Sequence, residues 1–473
     1  MGGAVRPRLV ASVVPVLLQT SVRYHCALDM ASNGYKIITW GCQMNEEDSE
    51  QISLFLDERG LHPAETVQDA SVVILNTCSV RAKPEQKAFS LLGRLRKLKK
   101  ERPDLVIGVV GCMAQLKGAS IRSRATHVDF VVGTRDLAVI PELVEQVRER
   151  RGFALRTEMP ERKGGVVTDL PGRAAGRKPK LKAFVPIQYG CDKFCTFCVV
   201  PVTRGRERSR PTEDILREVR ELASQGTKEV TLLGQTVNSY GKNLLEGRVP
   251  FHLLLRRIAE IEGLERIRFT SPYPRDFSDE LIEAICDVPQ VMEHVHLPLQ
   301  SGDDYVLQRM KRVYSVRDFL ATVERLRKAV PNIGITTDLI VGFPGETEEQ
   351  FERTLDVVRE VRFDSAFMFA YSTRPGTKAA EMPDQVPDEV KADRLNRLIE
   401  VQNGIAIEKN RALVGHEFEV LIEGPSDKDG RLLAGYTREF RMMHFPGGPE
   451  RAGRLATVRA TEGHLWGMMG ELT

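Results

Sequence analysis

A short loop with three cysteines places the strongest constraint on how this chain of 473 residues folds and acts. Cys191, Cys195 and Cys198 lie within eight residues, spaced C-x3-C-x2-C, directly after the apolar-leaning run 184–190. Three thiolates on one loop can hold three corners of a cubane iron–sulfur cluster. Because no fourth ligand follows nearby, one iron stays open, which suits a cluster that binds and activates another molecule.

Two other interpretations of this loop are a structural zinc site and a chance group of buried cysteines. Structural zinc normally takes four closed ligands, commonly in two C-x2-C pairs, and the loop offers three. The whole chain has eight cysteines, and one tight group among them fits a reducing compartment better than a disulfide framework. The pattern therefore favours the open cluster.

Composition limits the class of protein. Hydrophobic residues make up 42% and charged residues 28% of the chain, which is typical of a globular protein. The length allows roughly two to four domains. The formal net charge is only +3, so any nucleic-acid surface must come from local clustering of basic residues.

Residues 1–32 form a leader with three arginines before its first acidic residue, Asp29. Its apolar run Leu9–Leu18 is too short to span a bilayer. The leader is either spurious or disordered, because Met30 precedes the first strand, or an organellar presequence, or a secretory signal. An oxygen-sensitive cluster argues against secretion, so we expect a cytoplasmic protein that does not enter a membrane.

Residues 33–152 alternate strands and helices, which predicts a doubly wound α/β domain. Cys42, Cys78 and Cys112 each follow one of its first three strands, at intervals of 36 and 34 residues. The carboxyl ends of parallel strands meet at one edge of a sheet, so these thiols can converge on a second cluster. Each cysteine alone is more typical of an inert buried residue, but the repeated position favours ligation.

The rest of the chain divides into a linker, a second α/β unit and a small β domain. Glycine, proline and basic residues in 153–182 indicate a linker. Six βα units in 183–410 are too few for a complete barrel and predict an open (β/α)6 partial barrel, with its site at the carboxyl ends of the strands. Short strands in 411–473 predict a small β-barrel. The polar residues expected at the strand ends of the partial barrel include Gly234, Gln235, Ser271, Gln300, Ser301 and Asp338.

The loop Cys191–Cys198 has the spacing of the radical S-adenosylmethionine (SAM) superfamily, and the order of domains over 33–473 resembles the methylthiotransferases. That family joins a three-cysteine α/β domain, a radical SAM core and a C-terminal TRAM barrel. The closest likeness is to the tRNA-2-methylthio-N6-dimethylallyladenosine synthases. It rests on Gly41-Cys-Gln-Met-Asn45, Asn76-Thr-Cys-Ser-Val-Arg81, Cys198-Val-Val-Pro201, Val237-Asn-Ser-Tyr240 and His296-Leu-Pro-Leu-Gln-Ser-Gly302.

The resemblance implies two 4Fe-4S clusters and SAM as cofactors. It assigns Cys191, Cys195 and Cys198 to the cluster that cleaves SAM, and Cys42, Cys78 and Cys112 to an auxiliary cluster that carries the sulfur. It also places Phe197 beside the first cluster. The candidates for the SAM and substrate pocket are Gly234, Gln235, Ser271, Gln300, Ser301 and Asp338.

The implied reaction adds a methylthio group to carbon 2 of N6-dimethylallyl (isopentenyl) adenosine at position 37, in the anticodon loop of tRNA. The expected partners are tRNA, an electron donor protein and a sulfur donor, with the enzyme acting as a monomer. Candidate RNA contacts are Arg204, Arg206, Arg208 and Arg210, and a patch of Arg438, Arg441, Arg451, Arg454 and Arg459 in the tail. The run Arg94–Arg102 is interpreted as an exposed helix face.

Two alternatives stay open. The first is a sister methylthiotransferase that modifies a ribosomal protein or threonylcarbamoyladenosine in tRNA. The second is a non-catalytic iron–sulfur protein that binds RNA, although the intact C-x3-C-x2-C spacing argues against it. Arg309 and Arg312 could meet a carboxylate or a phosphate, or face solvent. We expect Cys26 and Cys286 not to be ligands.

Overall fold

A computed structural model describes residues 33–79, 82–159, 170–244 and 248–473. The predicted leader lies outside the described residues. Within them, no helix combines the length and the apolar character needed to cross a membrane.

The N-terminal domain is built on a six-stranded parallel sheet with the order β2-β1-β3-β4-β5-β6. Its strands are β1 Gly34–Trp40, β2 His62–Pro63, β3 Val72–Thr77, β4 Val106–Val110, β5 Phe130–Val132 and β6 Ala154–Arg156. Its helices are α1 Gln43–Glu58, α2 Ala82–Glu101, α3 Cys112–Lys117, α4 Ser120–Arg124 and α5 Ile140–Arg150. The parallel α/β prediction is confirmed, but the sheet extends through β6, which the sequence places in the linker.

Strand β3 lies near the middle of this sheet and explains its two-layered packing. Val72 and Ile74 face one apolar cluster, and Val73 and Leu75 face another on the opposite side. All four side chains are fully buried. A continuous β-branched and aliphatic run of this kind is expected where helices cover both faces of a sheet.

The central unit has six parallel strands in two halves, with the orders β11-β10-β7 and β12-β13-β14. The six strands are β7 Lys182–Pro186, β10 Glu229–Leu233, β11 Arg266–Phe269, β12 His294–His296, β13 Gly334–Val341 and β14 Ser365–Ala370. Two further short strands, β8 Gln188–Tyr189 and β9 Arg208–Ser209, form a separate antiparallel pair. Its helices are α6 Val200–Thr203, α7 Thr212–Ser224, α8 Phe251–Ala259, α9 Asp279–Asp287, α10 Asp304–Arg309, α11 Val316–Ala329, α12 Glu348–Val361 and α13 Asp388–Ala412.

A bridge between Ile267 and Val291 joins the two halves, and one apolar core runs through both. Side chains of Ser278, Ser315 and Thr347 cap the amino ends of the helices that follow them, as expected for these residues. The predicted open (β/α)6 partial barrel is confirmed.

The tail is a closed barrel of five strands in the order β15-β16-β17-β19-β18. The strands are β15 Glu417–Pro425, β16 Leu432–Thr437, β17 Met442–Pro446, β18 Leu455–His464 and β19 Gly467–Leu472. The sequence predicts four of them, at 418–422, 432–436, 455–460 and 465–470, and misses β17. That strand is short and ends in Pro446-Gly-Gly, and it contains no β-branched residue, so its pattern resembles a loop.

The β-barrel is docked at the amino ends of the core strands. Arg266, the first residue of β11, is fully buried and donates to the carbonyl oxygens of Tyr436 at 2.8 Å and Glu419 at 3.1 Å. His294, the first residue of β12, stacks on Phe440 with ring centroids 4.7 Å apart. The barrel therefore closes the end of the core that is opposite the carboxyl ends of its strands.

Candidate active site

The first cysteine loop follows β8 at the carboxyl edge of the core. Gly190 has a φ of +72°, and a Cβ at this position would lie 2.3 Å from the carbonyl oxygen of Arg206. Only glycine fits such a close approach. The loop is then fixed from the other side of the barrel, because the amide of Thr196 donates to Met310 at 3.1 Å and the amide of Ala379 donates to Thr196 at 2.9 Å.

Each thiol of this loop has a donor from the protein. The amide of Lys193 lies 3.4 Å from Cys191 Sγ, the amide of Val200 lies 3.5 Å from Cys198 Sγ, and Arg312 Nη1 lies 3.3 Å from Cys195 Sγ. Burial raises the pKa of Cys191 to about 11 and that of Cys198 to about 12. A cysteine binds a metal as its thiolate, and these donors would stabilise the bound thiolates.

The second trio lies at the carboxyl edge of the N-terminal sheet. Cys42 follows β1, Cys78 follows β3, and Cys112 begins α3 directly after β4. Contact with the Cys78 thiol is the largest cause that lowers the pKa of Cys42 and of Cys112. The structure thus brings three thiols that are far apart in sequence together around Cys78.

Each trio offers three sulfur donors, which is the donor type that iron–sulfur clusters take. Within the residues that the structure describes, no three His, Cys, Asp or Glu side chains are arranged to hold one metal ion. A cubane cluster instead uses one cysteine for each of its irons. Three thiolates at each site would therefore hold three irons and leave the fourth open.

The two trios flank one interface. Helix α3, which begins at Cys112, packs against α6, which begins two residues after Cys198. Thr134 Oγ1 donates to the carbonyl oxygen of Thr203 at 2.6 Å. Arg204 Nη2 and Asp48 Oδ2 form an ion pair at 2.6 Å, and their side chains are only 5% and 4% exposed. This pair joins the helix after Cys42 to the segment after Cys198.

A second group of buried ion pairs lies at the same interface. Glu218 of α7 accepts from Arg173 and Arg210 at 2.7 Å and from Arg177 at 2.8 Å. Arg173 also reaches Glu47 of α1 at 2.7 Å. Burial opposes the ionisation of Glu218, but the three guanidinium groups outweigh it and lower its pKa to about 2. The linker thus contributes charges that hold the N-terminal domain on the core.

These contacts contradict the prediction that Arg204, Arg208 and Arg210 form an RNA-binding group. All three are about 5% exposed. Arg206 alone is open, with its side chain 48% exposed and paired with Asp192. The run of basic residues in the sequence did not indicate that Arg204 and Arg210 form ion pairs inside the protein.

The predicted tail patch is also divided. Arg438 pairs with Glu293 of the core at 2.7 Å, and Arg441 pairs with the buried Asp364 of the core. Arg459 pairs with Glu417 at 2.7 Å. Arg438 and Arg441 therefore hold the barrel on the core, and they do not form part of an exposed RNA surface.

Four of the six predicted pocket residues, Gly234, Gln235, Ser271 and Gln300, lie in segments that follow core strands, whereas Asp338 lies within β13. Ser271 and Gln300 have φ values of +57° and +73°, which is uncommon outside glycine and concentrates at functional sites. Asp338 Oδ2 lies 3.3 Å from His296 Nε2. The side-chain Oε1 of Gln235 is buried without a hydrogen-bond partner, and Gly234 packs directly against Gln188.

Ser301 and Phe197 take different places. Ser301 is fully buried, and its hydroxyl contacts Thr354 of α12 at 3.5 Å and accepts from the amide of Asp303 at 3.3 Å. That environment indicates a turn residue beneath the site. Phe197 packs edge-on against Phe343, with ring centroids 6.4 Å apart, beside Cys198.

Sequence reasoning left the role of Arg312 undecided and did not find that of Asn45 and Asn76. Arg312 contacts Cys195, whereas Arg309 pairs with Asp384 at 2.7 Å. Asn45 and Asn76 are fully buried beside Cys42 and Cys78. The available signal was that each asparagine lies within three residues of a cysteine in a strand-end motif.

Comparison with known proteins covers each domain. Residues 34–133 match the model of Uncharacterized protein family UPF0004, residues 185–358 match the Radical SAM superfamily, and residues 411–472 match the TRAM domain. A tRNA-2-methylthio-N(6)-dimethylallyladenosine synthase of Moorella thermoacetica is 49% identical over 93% of this chain and 99% of its own length. One from Carboxydothermus hydrogenoformans is 48% identical over 94% of this chain and all of its own.

Among solved structures, the radical SAM methyltransferase TsrM of Kitasatospora setae is similar in fold. It superposes with a TM-score of 0.54 at 15% identity, over 74% of this chain and 75% of that one. At this identity the likeness concerns the fold alone.

Proposed function

This chain belongs to the tRNA-2-methylthio-N6-dimethylallyladenosine synthases, and on that premise we propose how its residues share the reaction. It is a radical SAM methylthiotransferase with a TRAM domain. The substrate is N6-dimethylallyladenosine at position 37 of tRNA, which receives a methylthio group on carbon 2. The observation that carries the proposal is the placement of two cysteine trios on the two sides of one buried interface.

The division of work follows from the two cysteine trios. Cys191, Cys195 and Cys198 would hold the 4Fe-4S cluster at which SAM binds, and Cys42, Cys78 and Cys112 would hold the auxiliary 4Fe-4S cluster. When bound, these groups supply the radical and sulfur-transfer chemistry that an unactivated aromatic C–H bond requires. Two molecules of SAM are consumed, one for the methyl group and one for the radical.

The protein's own contribution is positioning and electrostatics. Arg312 donates to Cys195, and the hydrogen bond favours the ligated thiolate. Gly234 and Gln235 border the same edge, where the free Oε1 of Gln235 is an acceptor for an ammonium or amide donor of a ligand. Asp338, half open beside His296, is placed to accept from a ribose hydroxyl or a base amino group.

The target adenine must leave its stack to reach this edge. An anticodon loop is single-stranded, so its bases splay out at low cost. Phe194, in the loop between Cys191 and Cys195, is 39% exposed. Arg206 and Lys311 lie 5.0 Å and 5.7 Å from its ring centroid. An aromatic face between cations suits the stacking of an unpaired base beside a phosphate, so we assign this surface to the RNA.

The other proposed partners follow from the resemblance described under the sequence analysis. The cycle requires an electron donor protein and a sulfur donor, and we expect a monomer in the cytoplasm. The described residues do not include the leader, whose role stays a prediction.

The test separates the two sites. Full-length protein is reconstituted anaerobically and given SAM, a reductant and tRNA that carries the dimethylallyl group. Cys195→Ala should abolish 5′-deoxyadenosine, because it removes the site of SAM cleavage. Cys42→Ala, Cys78→Ala and Cys112→Ala combined should halve the iron, retain 5′-deoxyadenosine and abolish the methylthio nucleoside. Unchanged iron in the triple variant, or no product from the wild-type chain, contradicts the proposal.

A further inference from the structure

The three auxiliary cysteines lie around two asparagines whose side chains are fully buried, Asn45 and Asn76. Asn45 Nδ2 donates to Asn76 Oδ1 at 3.0 Å. Asn76 Nδ2 donates to the carbonyl oxygen of Asn45 at 2.8 Å and to Ser49 Oγ at 2.9 Å. Every hydrogen of the Asn76 amide is therefore used. Its orientation is fixed by chemistry, since a backbone carbonyl can only accept.

This pair contacts all three strand ends. Asn45 Oδ1 accepts from the amide of Cys42 at 3.4 Å, and Cys42 follows β1. Asn76 is the penultimate residue of β3, two residues before Cys78. Ser49 continues the network to Thr39 on β1, with the hydroxyl oxygens 2.7 Å apart.

The end of β4 lies close to the Asn45–Asn76 pair because Gly111, the residue at this point, has no side chain. Gly111 lies directly before Cys112 and has a φ of +89°. A Cβ at Gly111 would lie 2.3 Å from Asn76 Oδ1 and 3.2 Å from Asn45 Nδ2. The backbone after β4 therefore rests directly on the amide pair, and the position of Cys112 depends on it.

We propose that Asn76, together with Asn45, is a positioning residue that brings Cys42, Cys78 and Cys112 together before the auxiliary cluster is inserted. The inference rests on the proposed function, because it assigns these cysteines to that cluster. The loop Cys191–Cys198 needs no such device, since its thiols are held by eight consecutive residues. Three thiols from distant strand ends require a preformed frame. Without it, cluster insertion would have to order three separate loops, and the loss of their conformational entropy would weaken cluster binding.

The test uses the full chain without iron, kept reduced and anaerobic. A short bifunctional thiol reagent is added, and mass spectrometry measures the Cys42–Cys78 and Cys78–Cys112 links. Asn76→Asp keeps the shape but replaces the donor with an oxygen that faces the carbonyl of Asn45. Loss of these buried bonds should reduce both links on the order of tenfold. Links among Cys191, Cys195 and Cys198 should stay as in the wild type.

A matched control is Asn238→Asp in the core. Asn238 is also buried and uses both ends of its amide, donating to the carbonyl oxygen of Tyr273 at 2.9 Å and accepting from its amide at 2.7 Å. It should leave the auxiliary links unchanged. If it reduces them as strongly as Asn76→Asp does, the effect is general destabilisation and the inference is wrong. Wild-type links in Asn76→Asp also overturn it.

Where Asn76→Asp does not fold, Ser49→Ala replaces it, because it removes one acceptor of the Asn76 amide. A partial loss of the links supports the frame, and unchanged links overturn it. After reconstitution, Asn76→Asp should fall to the iron content of the triple cysteine variant and retain 5′-deoxyadenosine formation. If the triple variant loses iron but Asn76→Asp does not, the proposed function stands and only the positioning role fails.

Discussion

The two cysteine trios reach similar donor sets by opposite means. Cys191, Cys195 and Cys198 occupy one loop of eight residues, and neighbouring backbone amides satisfy two of the sulfurs. The auxiliary cysteines come from three strand ends and depend on the register of the sheet. The first site is therefore a local property of the chain, and the second is a property of a folded domain.

This difference teaches where each site is vulnerable. A local loop fails when its own backbone cannot take the required turn. A site built from strand ends fails when any of several distant contacts is lost. Both sites share one interface, so a change at the Arg204–Asp48 pair should affect them together.

The largest effect is expected from Arg204→Ala. It leaves the Asp48 carboxylate buried without its partner, and breaking a buried pair from one side costs about 3–5 kcal/mol. Denaturant unfolding of the iron-free chain measures the loss. The matched control is Arg206→Ala, whose exposed pair with Asp192 contributes about 1 kcal/mol or less. Equal losses in the two variants would contradict a shared buried interface.

Acid should remove the contribution of Glu218 to the same interface. The folded pKa of Glu218 is lowered from 4.5 to about 2, so its contribution is fully present above pH 4.5 and is lost as the pH falls toward 2. That shift corresponds to roughly 3 kcal/mol. The free energy of unfolding, measured across this window, should fall less steeply in Glu218→Gln. Glu221 is exposed on the same helix, so Glu221→Gln serves as the control and should keep the pH dependence of the wild type. If the free energy of unfolding depends on pH equally in Glu221→Gln and Glu218→Gln, the role assigned to Glu218 is wrong.

A reciprocal pair of glycine substitutions separates the trios. Gly111→Ala and Gly190→Ala both force a side chain into a left-handed backbone and within 2.3 Å of an oxygen. Such strain costs about 1–3 kcal/mol each. Gly111→Ala should lose the auxiliary cluster and retain 5′-deoxyadenosine formation. Gly190→Ala should do the reverse, with iron counts near half in both. Loss of both clusters in either variant would show that the sites are not independent.

The smallest effect is expected from Cys286→Ser. Cys286 is exposed on α9, and its thiol lies 3.4 Å from the carbonyl oxygen of Ala329. A surface substitution of this kind changes stability by about 0.5 kcal/mol or less. Iron content and 5′-deoxyadenosine formation should match the wild type. A measurable loss of iron would mean that the two trios do not account for the ligands.

Features set by local spacing could be predicted from the sequence. The C-x3-C-x2-C loop and the cysteines after β1, β3 and β4 depend on spacing and on the direction of parallel strands, so the sequence alone predicts both trios. The partial barrel was predicted from alternating strands and helices. The TRAM barrel was predicted from short strands between turns, although β17 gave too weak a pattern.

The remainder depends on contacts between residues that are distant in sequence. Arg204 and Arg210 look like RNA contacts in a basic run, but each pairs with a carboxylate inside the protein. Ser301 lies in the segment after β12, as Gln300 does, and its hydroxyl is covered by Thr354 of α12. Nothing in the local pattern distinguishes an exposed polar side chain from one that a distant helix covers.

The polar interface also affects how the protein folds while it is being synthesised. The sheet that carries the auxiliary cysteines uses only residues 34–156, and domains generally fold from the amino end during synthesis. At that stage the carboxylate of Asp48 has no partner, because Arg204 lies 156 residues later in the chain. The carboxylate of Glu47 likewise has not yet met Arg173. Until those arginines emerge from the ribosome, this face of α1 is charged and hydrated. The incompletely synthesised chain therefore exposes a charged surface at this position, and a charged surface resists aggregation.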